Sequence, residues 1–152
     1  VIKNKVYIGK NVTVLNGSCI GEDPFSFGFS SRGESILFPS FAGVVIKDNS
    51  RIGNNSTISK GVFSDTEIGE NVIIDDLSNI GNAVKVGKNS KIMASCSISG
   101  RVTIEENCFI GRASSIRQGI SIGRNSIVGM GSVVISNVPN DVTVFGVPSK
   151  HR

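Results

Sequence analysis

The chain has 152 residues, enough for one domain with a continuous core, and a net charge of +4 at pH 7. Hydrophobic residues make up 39% of it but aromatic residues only 6%, so Ile and Val must build the core, which favours strands over helices. The basic residues form no runs, which argues against nucleic-acid binding; the mild positive charge fits either an anionic small ligand or a simple solubility effect.

Cysteine content and hydropathy limit the location of the protein. Cys19, Cys96 and Cys108 are too few and too oddly numbered for a disulfide framework. No apolar run approaches the ~20 residues of a membrane span, and no signal-peptide pattern opens the chain. We therefore expect a cytoplasmic protein without membrane insertion. Val1 is not an initiator methionine, which leaves residues upstream of it open.

Aliphatic residues recur at every sixth position along most of the chain. The first block starts at Ile2 and ends at Ile20, and the second runs from Ile46 to Ile58. The third block has twelve unbroken members: Ile68, Ile74, Ile80, Val86, Ile92, Ile98, Ile104, Ile110, Ile116, Ile122, Val128 and Val134. The residue two positions before each member is small or β-branched, and alternation with a period of two places both on the inward face of a short strand. Each hexapeptide is therefore predicted to be one strand and one corner, with little helix.

Two interruptions break this register. Between Ile20 and Ile46 about 20 residues must loop out, and this excursion, predicted at about 22–43, carries five of the eight phenylalanines. These aromatic side chains join no internal column, so we expect them to pack against a neighbouring subunit. The second interruption adds four residues around GVFSD, between Ile58 and Ile68.

The repeat resembles that of the hexapeptide-repeat acyltransferases, whose motif is [LIV]-[GAED]-x-x-[STAV]-x. The resemblance implies an all-β fold, a left-handed parallel β-helix with three hexapeptides per coil. Stacking then has a period of 18 residues, so that Ile68, Val86, Ile104 and Ile122 form one column. Cys96 and Cys108 fall in small-residue positions inside the coil and are expected to be packing residues. We predict a β-helix domain over residues 1–135 and a C-terminal tail over 136–152.

The order of features narrows the resemblance. The segment from about residue 18 to 135, with IGEDPFSFGF and both interruptions, is similar to the UDP-3-O-acylglucosamine N-acyltransferases of lipid A synthesis. The tail VPNDVTVFGVPSKHR instead resembles the ending of small sugar acetyltransferases that use acetyl-CoA. The uridine-binding domain and the C-terminal helix of the lipid A enzymes have no counterpart in this sequence.

The resemblance assigns catalytic positions to individual residues. The general base of these families is a histidine, and its position falls on Asn82. The aspartate that assists it matches Asp75, and a glycine whose N–H binds the thioester carbonyl matches Gly100. A second active-site histidine of the lipid A enzymes corresponds to Gly119. A carboxamide cannot accept a proton near neutral pH, so three accounts of Asn82 stay open: an engineered change, a natural loss of activity, or reliance on another base.

The same resemblance suggests how a donor is bound. Acyl-CoA, such as acetyl-CoA, or acyl carrier protein would be the co-substrate, and no permanently bound cofactor and no metal is predicted. Candidate donor-binding residues are Arg112, Gln118 and Lys150, and Met130 matches an acyl-pocket methionine. Solvated corners and ordinary packing are the alternatives for these side chains.

Two functions follow from these observations. The first is an acyltransferase that acts on an amino or hydroxyl group of a bacterial nucleotide-sugar or sugar in surface polysaccharide or lipopolysaccharide synthesis. The alternative is a catalytically inactive trimeric β-helix that serves as a scaffold or binds sugar. Both imply a homotrimer. A zinc enzyme on this fold would need three histidine ligands, and the only histidine is His151.

Overall fold

The computed structural model describes residues 1–151, with the backbone alone at His151. Every regular element in this range is a β-strand, and no helix in it has the length and hydropathy to cross a membrane. Successive strands turn at sharp corners and pair in parallel with the strands of the next coil. The chain thus forms a left-handed parallel β-helix with three faces, as the resemblance implies.

Each face is one parallel sheet. The first sheet contains β1 (Val6–Ile8), β6 (Val44–Ile46), β9 (Thr66–Ile68), β12 (Lys85–Val86), β15 (Thr103–Ile104) and β18 (Ser121–Ile122). The second contains β2 (Thr13–Val14), β7 (Arg51–Ile52), β10 (Ile73–Ile74), β13 (Lys91–Ile92), β16 (Phe109–Ile110), β19 (Ile127–Val128), β21 (Thr143–Phe145) and β22 (Lys150–His151), of which the last pair is antiparallel. The third contains β3 (Cys19–Glu22), β8 (Thr57–Ser59), β11 (Asn79–Ile80), β14 (Ser97–Ile98), β17 (Ser115–Ile116) and β20 (Val133–Val134).

The predicted columns are confirmed residue by residue. Val86 pairs with Ile68 on one side and Ile104 on the other, which is the stacking period of 18 residues. The twelve anchors of the third block are between 0% and 3% exposed, so they form the core of the coil. Within residues 1–151 no strand covers the outer side of the first coil, and Ile8 there is 41% exposed although it keeps the register.

Asparagine forms a ladder along the corner between the first and second sheets. The corner residue of successive coils has φ of 55–60°, a left-handed conformation that Asn tolerates better than most residues. The side chain of Asn71 donates to Asn89, that of Asn89 to Asn107, and that of Asn107 to Asn125, at 3.1–3.3 Å. The last rung is Asp141, which accepts from Asn125 at 2.7 Å. Asparagine therefore suits this corner in two ways: it tolerates the positive φ, and its side chain forms hydrogen bonds with the equivalent residues of the neighbouring coils.

The buried cysteines take the place of serines inside the coil. Ser78, Cys96 and Ser114 stack in one interior column, and each donates to a carbonyl oxygen of the next corner. For Cys96 this acceptor is Gly111, at 3.1 Å, and Cys108 donates in the same way to Gly123. Burial raises the pKa of both thiols. The predicted packing role is confirmed.

The C-terminal segment continues the coil beyond residue 135. Val138 and Val144 are buried in the same core as the repeat anchors. Strand β21 pairs in parallel with β19, and β22 then folds back on β21. The division between domain and tail at residue 135 stays a prediction, and the core itself extends to Val144.

The first interruption forms a hairpin outside the coil. Strand β4 (Phe27–Phe29) pairs in antiparallel register with β5 (Ser35–Leu37), and these two strands make a separate sheet. The ring of Phe27 lies between those of Phe25 and Phe29, with centroid distances of 5.5 and 5.8 Å. All five phenylalanines of the loop are between 48% and 85% exposed in the single chain. Their expected contact with a second subunit stays a prediction.

Candidate functional site

Both interruptions leave the coil at the same corner as Asn82. Strands β3, β8 and β11 are neighbours in the third sheet, so the segments that follow them are stacked. These segments are the long loop of the first interruption after β3, the short insertion of the second interruption after β8 (residues 60–65), and the corner after β11. We call this corner, between the third and first sheets, the site edge; its regular members are residues 81–84, 99–102 and 117–120.

Asn82, Gly100 and Gln118 occupy equivalent positions on successive coils of the site edge. Arg101 donates its backbone N–H to the Asn82 carbonyl at 2.8 Å, and Gly119 donates to the Gly100 carbonyl at 3.0 Å. A Cβ atom added to Gly100 would collide with Asn82 Oδ1 and would lie 3.1 Å from its Cγ, so the Asn82 side chain packs directly over this glycine. Within residues 1–151 the Gly100 N–H donates no hydrogen bond, which leaves it free to bind a ligand.

The backbone beside Asn82 is fixed by the coil below it. The N–H of Ala83 donates to Thr66 Oγ1 at 2.8 Å, and the Thr66 hydroxyl donates to the Ser59 carbonyl at 2.7 Å. Thr66 is fully buried and therefore holds this corner to the strand that precedes the short insertion. The side chain of Asn82 is therefore attached to a rigid backbone, which the precise positioning of a functional group requires.

Loop, insertion and site edge together enclose a groove of about 450 Å³. Its lining residues are Phe25, Ser26, Phe27, Phe38, Val62, Phe63, Ser64, Asn82, Ala83, Gly100, Arg101 and Gln118. Four phenyl rings provide apolar surface, two carboxamides and two hydroxyl groups provide hydrogen bonds, and Arg101 provides the one charge. No side chain in this lining titrates near neutral pH. The groove can bind and orient a polar molecule with apolar parts, but in the single chain it contains no general base.

The other predicted site residues lie on a different edge. Asp75, Arg112 and Met130 follow strands of the second sheet and lie at the corner between the second and third sheets, which we call the second edge. Met130 is 77% exposed there. The carboxylate of Asp75 accepts from the N–H of Asp76 at 2.9 Å, and Asp76 in turn binds the backbone and side-chain nitrogens of Asn54. Within one chain the structure does not bring these residues to Asn82.

Lys150 is also distant from the groove within the chain. It lies in β22, which pairs with β21 at the end of the second sheet. The side chain of His151 and all of Arg152 lie outside the described residues. Of the predicted site residues, the structure therefore groups Asn82, Gly100 and Gln118 and separates the rest.

The insertion residues Val62, Phe63 and Ser64 line the groove although the sequence did not single them out. The sequence nevertheless contained a signal that places these residues at the groove. The breaks after Ile20 and Ile58 both follow anchors of the column that continues with Ile80, so the three segments after these anchors had to share one corner.

A second, larger groove of about 570 Å³ lies on the first sheet. Four of its charged side chains form two ion pairs: Lys85 with Glu67 at 3.2 Å and Lys88 with Glu106 at 3.3 Å. These pairs are more than one third exposed, where ion pairs contribute little to stability. Despite its size, this groove has the character of a solvated charged face, whereas the smaller one has an aromatic wall and free polar groups.

Comparison with known families gives two adjoining matches. The family described as "Bacterial transferase hexapeptide (six repeats)" matches residues 65–100, and "Hexapeptide repeat of succinyl-transferase" matches residues 101–136. The UDP-3-O-acylglucosamine N-acyltransferase of Caulobacter vibrioides is 39% identical over 93 residues, or 61% of this chain and 27% of that protein. The Rhizobium meliloti protein of the same name is 38% identical over 93 residues, or 61% of this chain and 26% of that protein. The chain thus spans about a quarter of the length of these relatives.

Solved structures agree on the fold. A UDP-N-acetylglucosamine acyltransferase from Francisella novicida superposes with a TM-score of 0.83 at 22% identity, over all of this chain and 61% of that one. PerB from Caulobacter crescentus, solved with CoA and GDP-perosamine, gives a TM-score of 0.57 at 22% identity, over all of this chain and 53% of that one. The family and sequence matches confirm the resemblance to the hexapeptide-repeat acyltransferases, and the solved structures show that the chain shares the left-handed β-helix fold.

Proposed function

We propose that this chain is the β-helical part of an acyltransferase. It would move an acyl group from acyl-CoA or acyl carrier protein to an amino or hydroxyl group of a bacterial nucleotide-sugar or sugar, in the synthesis of surface polysaccharide or lipopolysaccharide. The observation that carries the proposal is the groove in which Asn82, Gly100 and Gln118 face the long loop with its five phenylalanines, which we call the phenylalanine loop. The names of the relatives, and the CoA bound to PerB, support the donor and acceptor classes.

The groove supplies part of the chemistry that acyl transfer needs. Attack on a thioester develops negative charge on the carbonyl oxygen, and a preorganised N–H such as that of Gly100 stabilises this charge. The carboxamide of Asn82 can orient the attacking group but cannot take its proton. Lack of a general base typically costs about 10²–10⁴-fold in rate.

A second copy of the chain would complete the site. In a homotrimer the second edge of one copy would face the site edge of its neighbour, so that Asp75 of one chain would lie near Asn82 of the next. Arg112, Met130 and Lys150 would then bind the donor across the same boundary, opposite Gln118. The exposed phenylalanines of the loop support this assembly, because a monomer would leave a large apolar surface in water. Light scattering that gives a monomer at micromolar concentration would contradict the trimer.

The alternative is a β-helix that binds sugar without turnover. The groove lining favours it in one respect, since it includes no titratable group of neutral pKa. Carboxamides and aromatic rings are sufficient to bind a sugar through hydrogen bonds and apolar contacts.

Calorimetry with acetyl-CoA and a panel of nucleotide amino sugars separates the two functions. It is run on the native chain, on Asn82→His, and on Asn79→His as the matched control, because Asn79 lies on the outer surface of β11 beside Thr57, away from the groove. We expect acetyl-CoA and an amino sugar to bind, and turnover to appear or increase in Asn82→His alone. If acetyl-CoA does not bind, the titration is repeated with acylated acyl carrier protein. If neither donor binds to any form, the chain is not an acyltransferase; sugar binding alone would establish the alternative.

A further inference from the structure

Lys60, the first residue of the short insertion, is the one charged side chain within residues 1–150 that is buried. Its side chain is 11% exposed, and its Nζ lies 3.0 Å from Asp23 Oδ1. Removing an ammonium group from water is costly unless an opposite charge and hydrogen bonds compensate it. The Lys60 ammonium also holds the pKa of the Asp23 carboxyl below its usual value, more strongly than burial raises it. The buried ammonium of Lys60 therefore depends on Asp23 for its compensation, unlike the lysines in the exposed ion pairs of the first sheet.

This ion pair joins the start of the phenylalanine loop to the coil. Asp23 is the first residue after β3, where the loop leaves the third sheet, and Lys60 is the first residue after β8 in the next coil. The backbone N–H of Lys60 also donates to the Glu22 carbonyl at 3.0 Å. Main chain and side chain of Lys60 thus hold the departing end of the loop together.

The rest of the insertion holds the returning end. Asp65 accepts the Gly43 N–H at 2.6 Å, and Val62 accepts the Phe41 N–H at 2.9 Å. The rings of Phe41 and Phe63 stack, with centroids 6.2 Å apart and planes inclined by 20°. The segment 60–65 between β8 and β9 therefore contacts both ends of the long loop.

Between these ends the hairpin has no main-chain support from the coil. Every backbone–backbone hydrogen bond made by residues 24–40 stays inside that segment, and β4 and β5 pair only with each other. The same segment nevertheless contributes Phe25, Phe27 and Phe38 to the groove above Asn82. The orientation of this aromatic wall is therefore set by its two attachments.

We propose that Lys60 and Asp23 are positioning residues, whose ion pair holds the phenylalanine hairpin over the Asn82 groove and so sets the affinity of the groove for the acceptor sugar. The identity of the ligand rests on the proposed function. The position of the hairpin does not, and it can be measured without any ligand.

Tryptophan fluorescence gives that measurement, because the chain contains no tryptophan. In a Phe27→Trp background we compare Lys60→Met with Lys60→Arg, and use Lys85→Met, which removes the exposed pair with Glu67, as the control. Lys60→Met leaves no buried charge without a partner, since the side chain of Asp23 is 58% exposed. We expect a red shift and about a twofold rise in acrylamide quenching in Lys60→Met, recovery in Lys60→Arg, and no change in Lys85→Met.

Ligand binding is measured on the same substitutions in the native background. With the nucleotide-sugar that binds best, Lys60→Met is expected to raise Kd about tenfold, because a loosened wall must be ordered on binding. In the Asn82→His background it is expected to raise KM by about the same factor and to change kcat less. An unchanged tryptophan signal, or a changed signal with unchanged Kd, overturns the proposal. Loss of the cooperative circular-dichroism melt in both Lys60→Met and Asp23→Asn overturns it too, since the pair would then hold the coil itself. If no sugar binds to the native chain, the proposed function fails and the fluorescence result alone decides the positioning role.

Discussion

Replacing Gly100 by alanine tests the site edge with little effect on the fold. The backbone at Gly100 does not have the positive φ that other corner residues adopt, so alanine meets no conformational strain there. The added methyl group would collide mainly with the end of the Asn82 side chain, which can rotate away, and would lie 3.2 Å from the Asn82 carbonyl oxygen. The substitution therefore displaces the residue at the predicted catalytic position while the coil stays closed.

Gly81→Ala provides the matched control one coil earlier. Its methyl group would lie 2.6 Å from the Gly100 nitrogen and 2.8 Å from the Ser99 carbonyl carbon, and these are backbone atoms that cannot rotate away. Overpacking of this kind costs about 1–3 kcal/mol or more. For Gly100→Ala, the lower entropy of the unfolded chain contributes about 0.4–1 kcal/mol of stability, which offsets the small displacement of Asn82.

Thermal unfolding and ligand calorimetry together read out this contrast. We expect Gly100→Ala to unfold within about 3 °C of the native chain, and Gly81→Ala to unfold about 5–10 °C lower, from the usual 2–4 °C per kcal/mol at this size. Ligand affinity should fall at least about tenfold in Gly100→Ala, because Asn82 and the free N–H both contact the groove. Native affinity in Gly100→Ala would refute the placement of the site, and equal destabilisation of the two variants would refute the packing argument.

Three further predictions concern the coil. Ile98→Ala, in the fully buried third column, should lower the free energy of unfolding by about 2–5 kcal/mol in urea titration, and a loss below about 1 kcal/mol would contradict its burial. Asn89→Ala should cost about 1–2 kcal/mol through its φ of 60° and its lost ladder bonds, whereas Asn89→Gly should lose less; equal losses would mean that the side-chain bonds alone matter. At pH 8 a thiol reagent should modify Cys19 in the native protein and reach Cys96 and Cys108 only after unfolding, because burial raises the pKa of these two thiols and lowers their thiolate fraction; rapid labelling of all three would contradict the interior assignment.

The sequence predicted the coil in detail because the coil is periodic. A spacing of six residues fixes which side chains face inward. The resemblance adds a stacking period of 18, which fixes which of them touch, so the pairing of Val86 with Ile68 and Ile104 followed without structural data. The same periodicity placed Cys96 and Cys108 inside the coil. Each of these predictions needs only the position of a residue within its repeat.

The attachments of the loop are not periodic, and the sequence did not predict them. Asp23 and Lys60 lie 37 positions apart, with the whole hairpin between them, so no regular spacing relates them. The burial of Lys60 depends on how the loop returns through Phe41 and Gly43 to the short insertion. Contacts of this kind depend on the conformation of two irregular segments at once, which composition and pattern do not specify.

The positions of Asp75 and Asn82 show how a resemblance can match single residues while the geometry of one chain keeps them apart. Strand β11 runs between them, so they lie at consecutive corners of the same coil, and the extended chain separates them by on the order of 15 Å. Neither side chain is long enough to close such a gap, and Asp76 is already bound to Asn54. In the proposed trimer, the assisting carboxylate would instead reach the groove from the second edge of another copy. In that case, in the Asn82→His background, Asp75→Asn would lower turnover without changing the stability of the isolated coil. Mixing Asp75→Asn chains with Gly100→Ala chains in this background would restore activity in the mixed trimers that pair an unchanged site edge with an unchanged second edge.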